Sequence, residues 1–100
     1  MPQIEFAWDP AKAASNIAKH RVTFAQAATV LLDPLALTVL DIEHGAREER
    51  WLTLGISREG KLLAVSHTYT STGPDSATVR IASAREPTRH ERRKYESEPI

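Results

Sequence analysis

The chain has 100 residues, with thirteen Lys and Arg against thirteen Asp and Glu, no cysteine, and 41% hydrophobic residues; this describes one domain with one modest core. The absence of cysteine excludes a disulfide framework and a thiolate metal site and suits a reducing, cytoplasmic setting. Zero net charge argues against strong non-specific nucleic-acid binding, no apolar run approaches a membrane span, and the N-terminus does not read as a signal peptide.

Gln3 to Ala7 reads as a short strand with Ile4 and Phe6 on one face. The first helix follows from about Pro10 to His20. Asp9 is its N-cap and Pro10 its first helical residue. Lys12, Asn16, Lys19 and His20 fall at i, i+4, i+7 and i+8 and form one polar stripe. Such a stripe suits phosphate, and it equally suits an ordinary solvated face. Ala13, Ala14, Ile17 and Ala18 are expected on the opposite, packed face.

Thr23 and Gln26 form a capping box, with Val22 and Ala27 as a hydrophobic staple. The second helix is expected to bury Phe24, Ala27, Ala28 and Leu31, and Asp33-Pro34 to end it. Four strands then follow: Leu35 to Ile42, Trp51 to Ser57, Leu62 to Tyr69 and Thr78 to Ala84. Arg58-Glu59-Gly60 is a hairpin turn, and Leu62 to Tyr69 returns antiparallel. The Ser-, Thr-, Gly- and Pro-rich stretch Ser71 to Ser76 reads as a loop, as does the charged segment His44 to Glu48. Thr88 and Glu91 form a second capping box for a last helix, Thr88 to about Glu96. Beyond Tyr95 this helix has almost no apolar face. Burying Tyr95 contributes roughly 2 kcal/mol, against about 1–2 kcal/mol of backbone ordering per residue, so weak docking is expected. The order β-α-α-β-β-β-β-α implies an α+β domain: a mainly antiparallel sheet with two N-terminal helices and one C-terminal helix, packed on one face.

The charge is unevenly distributed. Asp41 to Glu49 holds four acids and one base, and Arg85 to Glu96 holds five bases and three acids. Arg89, Arg92 and Arg93, with Lys94, make the last helix a candidate phosphate-binding patch. The histidines His20, His44, His67 and His90 show no i+3 or i+4 pairing, so no metal site is expected. There is no nucleophile elbow and no phosphate-binding glycine loop. What remains is basic and imidazole chemistry. Metal-free RNA cleavage needs a base for the 2′-hydroxyl, cations for the pentacoordinate phosphorane and an acid for the leaving 5′-oxygen. Lys12, His20, Arg50, His67, Arg80 and Arg85 supply those residue types. Three of them have a plainer alternative: His67 a hydrogen-bonded strand histidine, Arg80 a cross-strand ion pair, Arg85 a structural arginine.

These residues also carry a likeness. Phe6-x-Trp8-Asp9-x-x-Lys12-x-x-x-Asn16-x-x-Lys19-His20, Val22-Thr23-Phe24 with Ala27, Asp33-Pro34, Glu49-Arg50, Gly55-x-Ser57, Gly60-Lys61-Leu62, Val79-Arg80-Ile81-x-Ser83-Ala84-Arg85 and Glu91-Arg92-Arg93-x-Tyr95 together resemble the BrnT toxins of bacterial type II toxin–antitoxin systems. The resemblance implies a RelE-like ribonuclease fold and an endoribonuclease that cuts mRNA and blocks translation without a metal or other cofactor. It implies neutralisation by a BrnA-like antitoxin, with operator DNA bound only through the antitoxin complex. Under that reading His67 or His20 is the general base or acid. Arg50, Arg80 and Arg85 stabilise phosphate charge, and Lys12 and Lys19 with Arg89, Arg92 and Arg93 bind RNA. The isolated chain is open to homodimer formation. Two residues depart from the family pattern: Arg21 replaces a helix-ending glycine, at about 1 kcal/mol, and Thr70 stands where relatives often carry Arg. The segment Ser71 to Ser76 is also longer than in common relatives. The rival reading is a non-catalytic interaction module on the same fold.

Overall fold

The computed structural model describes residues 3–41 and 49–97; the expected loop His44 to Glu48 lies outside them. Among the described residues five strands form one sheet in the order β1-β5-β4-β3-β2. They are β1 (Gln3–Ala7), β2 (Leu37–Leu40), β3 (Trp51–Ile56), β4 (Leu62–Gly73) and β5 (Ser76–Arg85), with helices α1 (Pro10–His20), α2 (Phe24–Val30) and α3 (Arg89–Ser97). β1 runs parallel to β5, and the other three pairings are antiparallel.

Local chemistry sets the helix ends. The Asp9 carboxylate accepts from the Ala11 N–H at 2.8 Å. The Thr23–Gln26 capping box is closed in both directions, with Val22 and Ala27 buried in the same cluster. Arg21 ends α1 in the left-handed region, φ 58°, its N–H bonded to the Ile17 carbonyl. The hairpin turn holds Gly60 at φ 85°.

The principal core lies between the sheet and α1 and α2. Val22, Phe24, Ala27 and Val30 meet Leu63, Val65, Val79, Ile81 and Ala84, with Phe6, Trp8, Ala13, Ala28 and Leu31 at its margin. Trp8 packs edge-on against Phe24 with ring centroids 6.0 Å apart. Val30 was not among the expected core residues, although one turn places it beside Ala27. Gly55 lets α2 approach: an added Cβ would lie 2.9 Å from Val30 Cγ1 and 3.0 Å from its carbonyl oxygen.

Four expectations are corrected. First, α1 docks by its polar side: Asn16 is 5% exposed while Ile17 is 47% exposed. The two Asn16 amide hydrogens go to the Val22 and Ala84 carbonyls, and its oxygen accepts from the Ala84 N–H. Three hydrogen bonds thus decide which face packs. Second, the helices do not share one face. Arg85 points away from the α1/α2 side and binds Glu91, so α3 lies on the opposite face, where it contacts β3. Leu54, Leu62 and Ala64 are buried on that side. Third, Ser71 to Ser76 is mostly strand. β4 runs to Gly73 and β5 starts at Ser76, leaving only Pro74 and Asp75 as the turn. Ser and Thr pair well across a solvated face, so a composition typical of loops extends a hairpin here. Fourth, β2 is shorter than Leu35 to Ile42. Asp33 caps the turn before it, accepting from the Leu35 N–H at 2.9 Å, and Ile42 lies outside the described residues.

No α3 residue is buried. Polar pins hold it instead. Its capping box is formed, Glu91 takes both arms of the Arg85 fork at 2.7 and 3.0 Å, and the Tyr95 hydroxyl donates to Asp33 Oδ2 at 2.6 Å. Burial, and then the Asp33 carboxylate, push the Tyr95 phenol up to about 12.

Candidate active site

Strand pleating sorts the expected site residues between two faces. Arg50, Arg80 and Arg85 lie on the face opposite α1 and α2, with Leu52, Ser66, Thr68 and Ser83. Arg80 and Arg85 are five residues apart, and strict alternation would put them on opposite faces. The register shift opposite Ser66 and His67 leaves Ala82 as an extra residue. That bulge turns Ile81 and Ala84 both into the core and both arginines outward.

On this outward face Asp41, Arg50, Leu52, Ser66, Ser83 and Arg85 enclose a small cleft of about 80 Å³. The Asp41 N–H donates to the Arg50 carbonyl at 2.7 Å, which fixes the two residues across the β2–β3 end. Beyond Arg80 the β5 edge is no longer covered by β1, and α1 lies along it through Asn16. Here Lys12, Ser15, Asn16, Lys19, His20, Ala82 and Ser83 line a second cleft of about 220 Å³. Ser83 belongs to both. The structure therefore brings Lys12, Lys19 and His20 to one side of Ser83 and Arg50 and Arg85 to the other, with Arg80 exposed on the same outward face.

Glu91 neutralises Arg85. The Arg85 hydrogen bonds hold the Glu91 carboxyl down to about 2; burial opposes the shift, and the Thr88 N–H adds to it. The same pairing, against burial, raises Arg85 above the ordinary guanidinium value. Arg89, Arg92 and Arg93 are exposed along α3, and Arg92 lies 3.9 Å from Glu96.

His67 is not brought to these groups. It is 3% exposed and on the α1/α2 face. Its Nε2 lies 2.7 Å from Thr53 Oγ1, which lies 2.8 Å from Thr38 Oγ1. Its Nδ1 lies 3.2 Å from the Thr68 carbonyl. Burial pushes its pKa down, and the Thr68 contact opposes this only in part. It borders an apolar cavity of about 360 Å³ with Ile4, Leu31, Trp51, Tyr69 and Val79. The expectation that His67 shares a site with the arginines fails on the pleat, and the plainer alternative of a hydrogen-bonded strand histidine describes its surroundings.

Asp41, Ser66, Ser83 and the second role of Glu91 were missed in the sequence. Asp41 counted only as part of an acidic run, and nothing short of strand register places it beside Arg50. Among the described residues no three His, Asp or Glu side chains are grouped to hold a metal ion, and no helix is long and apolar enough to cross a membrane.

The family model described as "Ribonuclease toxin, BrnT, of type II toxin–antitoxin system" matches residues 8–91. The 1.1 Å crystal structure of the Brucella abortus ribonuclease toxin BrnT superimposes with a TM-score of 0.60 and 21% identity, covering 87% of this chain and all of that one. At that identity the likeness speaks to the fold. No curated protein sequence matches.

Proposed function

The chain belongs to the BrnT family of ribonuclease toxins of type II toxin–antitoxin systems, and on that footing we propose that it is a metal-independent endoribonuclease, active in the cytoplasm, that cuts mRNA and so stops translation. We read its scaffold as RelE-like. The observation that carries the proposal is the meeting of two cation-lined clefts at Ser83. A phosphodiester lying over Ser83 would have Arg50 and Arg85 on one side and Lys12, Lys19 and His20 on the other. Guanidinium forks suit the non-bridging oxygens of a phosphorane. His20 is the residue assigned to protonate the departing 5′-oxygen. Arg80 and the α3 arginines Arg89, Arg92 and Arg93 extend the positive track for the flanking RNA.

The partner proposed to neutralise the toxin is a BrnA-like antitoxin, with operator DNA bound only by the complex. A second reading, a non-catalytic interaction module, draws on the engagement of Arg85 by Glu91. One experiment separates the two. The chain is induced in a bacterium, with translation and RNA integrity followed over time, and the purified protein is given RNA in EDTA. The ribonuclease reading expects rapid translational arrest and RNA fragments ending in 2′,3′-cyclic phosphate, undiminished by chelation. Intact RNA in both settings leaves the interaction module.

A further inference from the structure

We infer that Asp41 is the general base that accepts the 2′-hydroxyl proton at the Ser83 groove. The inference rests on the ribonuclease reading. Attack by a 2′-hydroxyl requires a proton acceptor on the attacking side of the phosphate, within hydrogen-bond reach. Among the described residues, the charged side chains lining the cleft with Asp41 are Arg50 and Arg85, and Glu91 stands behind Arg85.

Elimination and placement agree. Among the described residues Asp41 is the one carboxylate that lines this cleft; Glu91 stands behind Arg85, outside the lining. His67 is buried on the far face against Thr53. His20 lies across Ser83 in the neighbouring cleft, on the side suited to the leaving group. Asp41 is held at the end of β2 by its own N–H on the Arg50 carbonyl. Its carboxylate therefore shares a cleft with the guanidinium groups that would bind the phosphate.

The step balances without water, metal or oxidant. The Asp41 carboxylate takes the 2′-hydroxyl proton as the O2′–P bond forms. The O5′–P bond breaks, and the His20 imidazolium gives its proton to the 5′-oxygen. The products are a 2′,3′-cyclic phosphate and a 5′-hydroxyl.

The test compares wild type, Asp41→Asn and Asp41→Glu on a mixed-sequence single-stranded RNA, with ribosomes supplied, and measures binding on its 2′-O-methyl counterpart. Asp41→Asn should lower kcat by about a hundredfold or more. Binding of the 2′-O-methyl RNA should stay equal or tighten, since a negative charge is removed. Asp41→Glu should recover part of the rate. An Asp41→Asn protein as fast as wild type overturns the inference. So does one that loses RNA binding and thermal midpoint together, because Asp41 is then a structural counter-ion of the arginines. A wild type that leaves RNA intact removes the ribonuclease reading and the inference with it, whereas an active wild type beside an equally active Asp41→Asn removes the inference alone.

Discussion

The side-chain amide of Asn16 pairs with the backbone of Ala84 as a neighbouring strand would, accepting from its N–H at 3.0 Å and donating to its carbonyl at 2.8 Å. β1 ends opposite Arg80, so this one side chain continues the pairing along the exposed part of β5. It also donates to the Val22 carbonyl at 2.9 Å, just past the end of α1. The tie fixes α1, and with it Lys12, Lys19 and His20, beside Ser83.

Asn16→Ala should therefore be strongly destabilising. It leaves the Ala84 N–H and two carbonyls without their partners, and a buried orphaned group costs about 1–3 kcal/mol. A loss of roughly 3 kcal/mol or more is expected in urea unfolding. Asn16→Asp should be no milder, since a carboxylate cannot donate to either carbonyl and would face both. An unchanged urea midpoint in either variant would show that α1 is held by something else.

His67 predicts a pH dependence of stability. Burial lowers its pKa in the fold, whereas an unfolded histidine titrates near 6.5. Its contribution is thus complete above about pH 6.5 and is lost as pH falls, because the unfolded chain binds the proton first. The slope is at most about 1.4 kcal/mol per pH unit. Thermal midpoints of wild type should fall between pH 7 and pH 5, and those of His67→Leu should not. His67→Leu should start lower, because Thr53 loses one of its two side-chain partners and keeps only Thr38. It should still cleave RNA wherever it is folded, since the ring lies across the sheet from Arg50 and Arg85. Loss of cleavage by a folded His67→Leu would return His67 to the site.

The parts legible in the sequence were those set by neighbours along the chain. Asp9, Thr23 with Gln26, and Thr88 with Glu91 gave the three helix starts, and Gly60 the hairpin. The packed face of α1 was not legible, because hydrogen-bonding capacity at Asn16 outweighed the apolar surface of Ile17. The candidate site was half legible. Residue types pointed to Lys12, His20, Arg50, Arg80 and Arg85. The grouping needed register, because the bulge at Ala82 overturns the parity that separates Arg80 from Arg85. The same register puts His67 on the other face and brings Asp41 in.

Glu91 predicts a second, more acidic transition confined to α3. Its carboxyl is held at about 2, chiefly by Arg85, against about 4.3 for a free Glu. Asp33 moves the same way: burial would raise it, but donors from Ile56, Tyr95 and Leu35 together outweigh that. Both groups contribute stability above their unfolded pKa values and lose it as pH falls, Glu91 over the range from about 4.5 toward 2. Since α3 buries no residue, it should loosen before the sheet does. Hydrogen exchange, corrected for intrinsic rate, should show α3 amides losing protection between pH 6 and pH 3 while β4 and β5 keep theirs. Glu91→Gln should show the loosened α3 already at pH 6. Protection of α3 equal to that of the central strands at pH 3 would mean that apolar contacts, and not these carboxylates, hold the helix.

Thr70 offers a test of the RNA path. It is exposed and pairs with Thr78, and two residues before it Thr68 pairs with Arg80. Alternation along β4 puts Thr70 on the same outward face as Arg80. An arginine introduced there would lie beside the Arg80 end of the proposed track, away from the cleft of Asp41, Arg50 and Arg85. Thr70→Arg should tighten binding of 2′-O-methyl RNA several-fold at low salt. It should also steepen the slope of log K against log salt by about 0.7, the value for one added contact on a single strand. Arg80→Ala should lower that slope by a similar amount. Neither change should alter the thermal midpoint much, because both side chains are exposed. The kcat of Thr70→Arg should stay close to wild type, because the new charge binds substrate and transition state alike. If Thr70→Arg leaves the salt slope where it was while Arg80→Ala lowers it, the RNA crosses β5 without passing over this part of β4. The positive track would then run from Ser83 toward α3 instead.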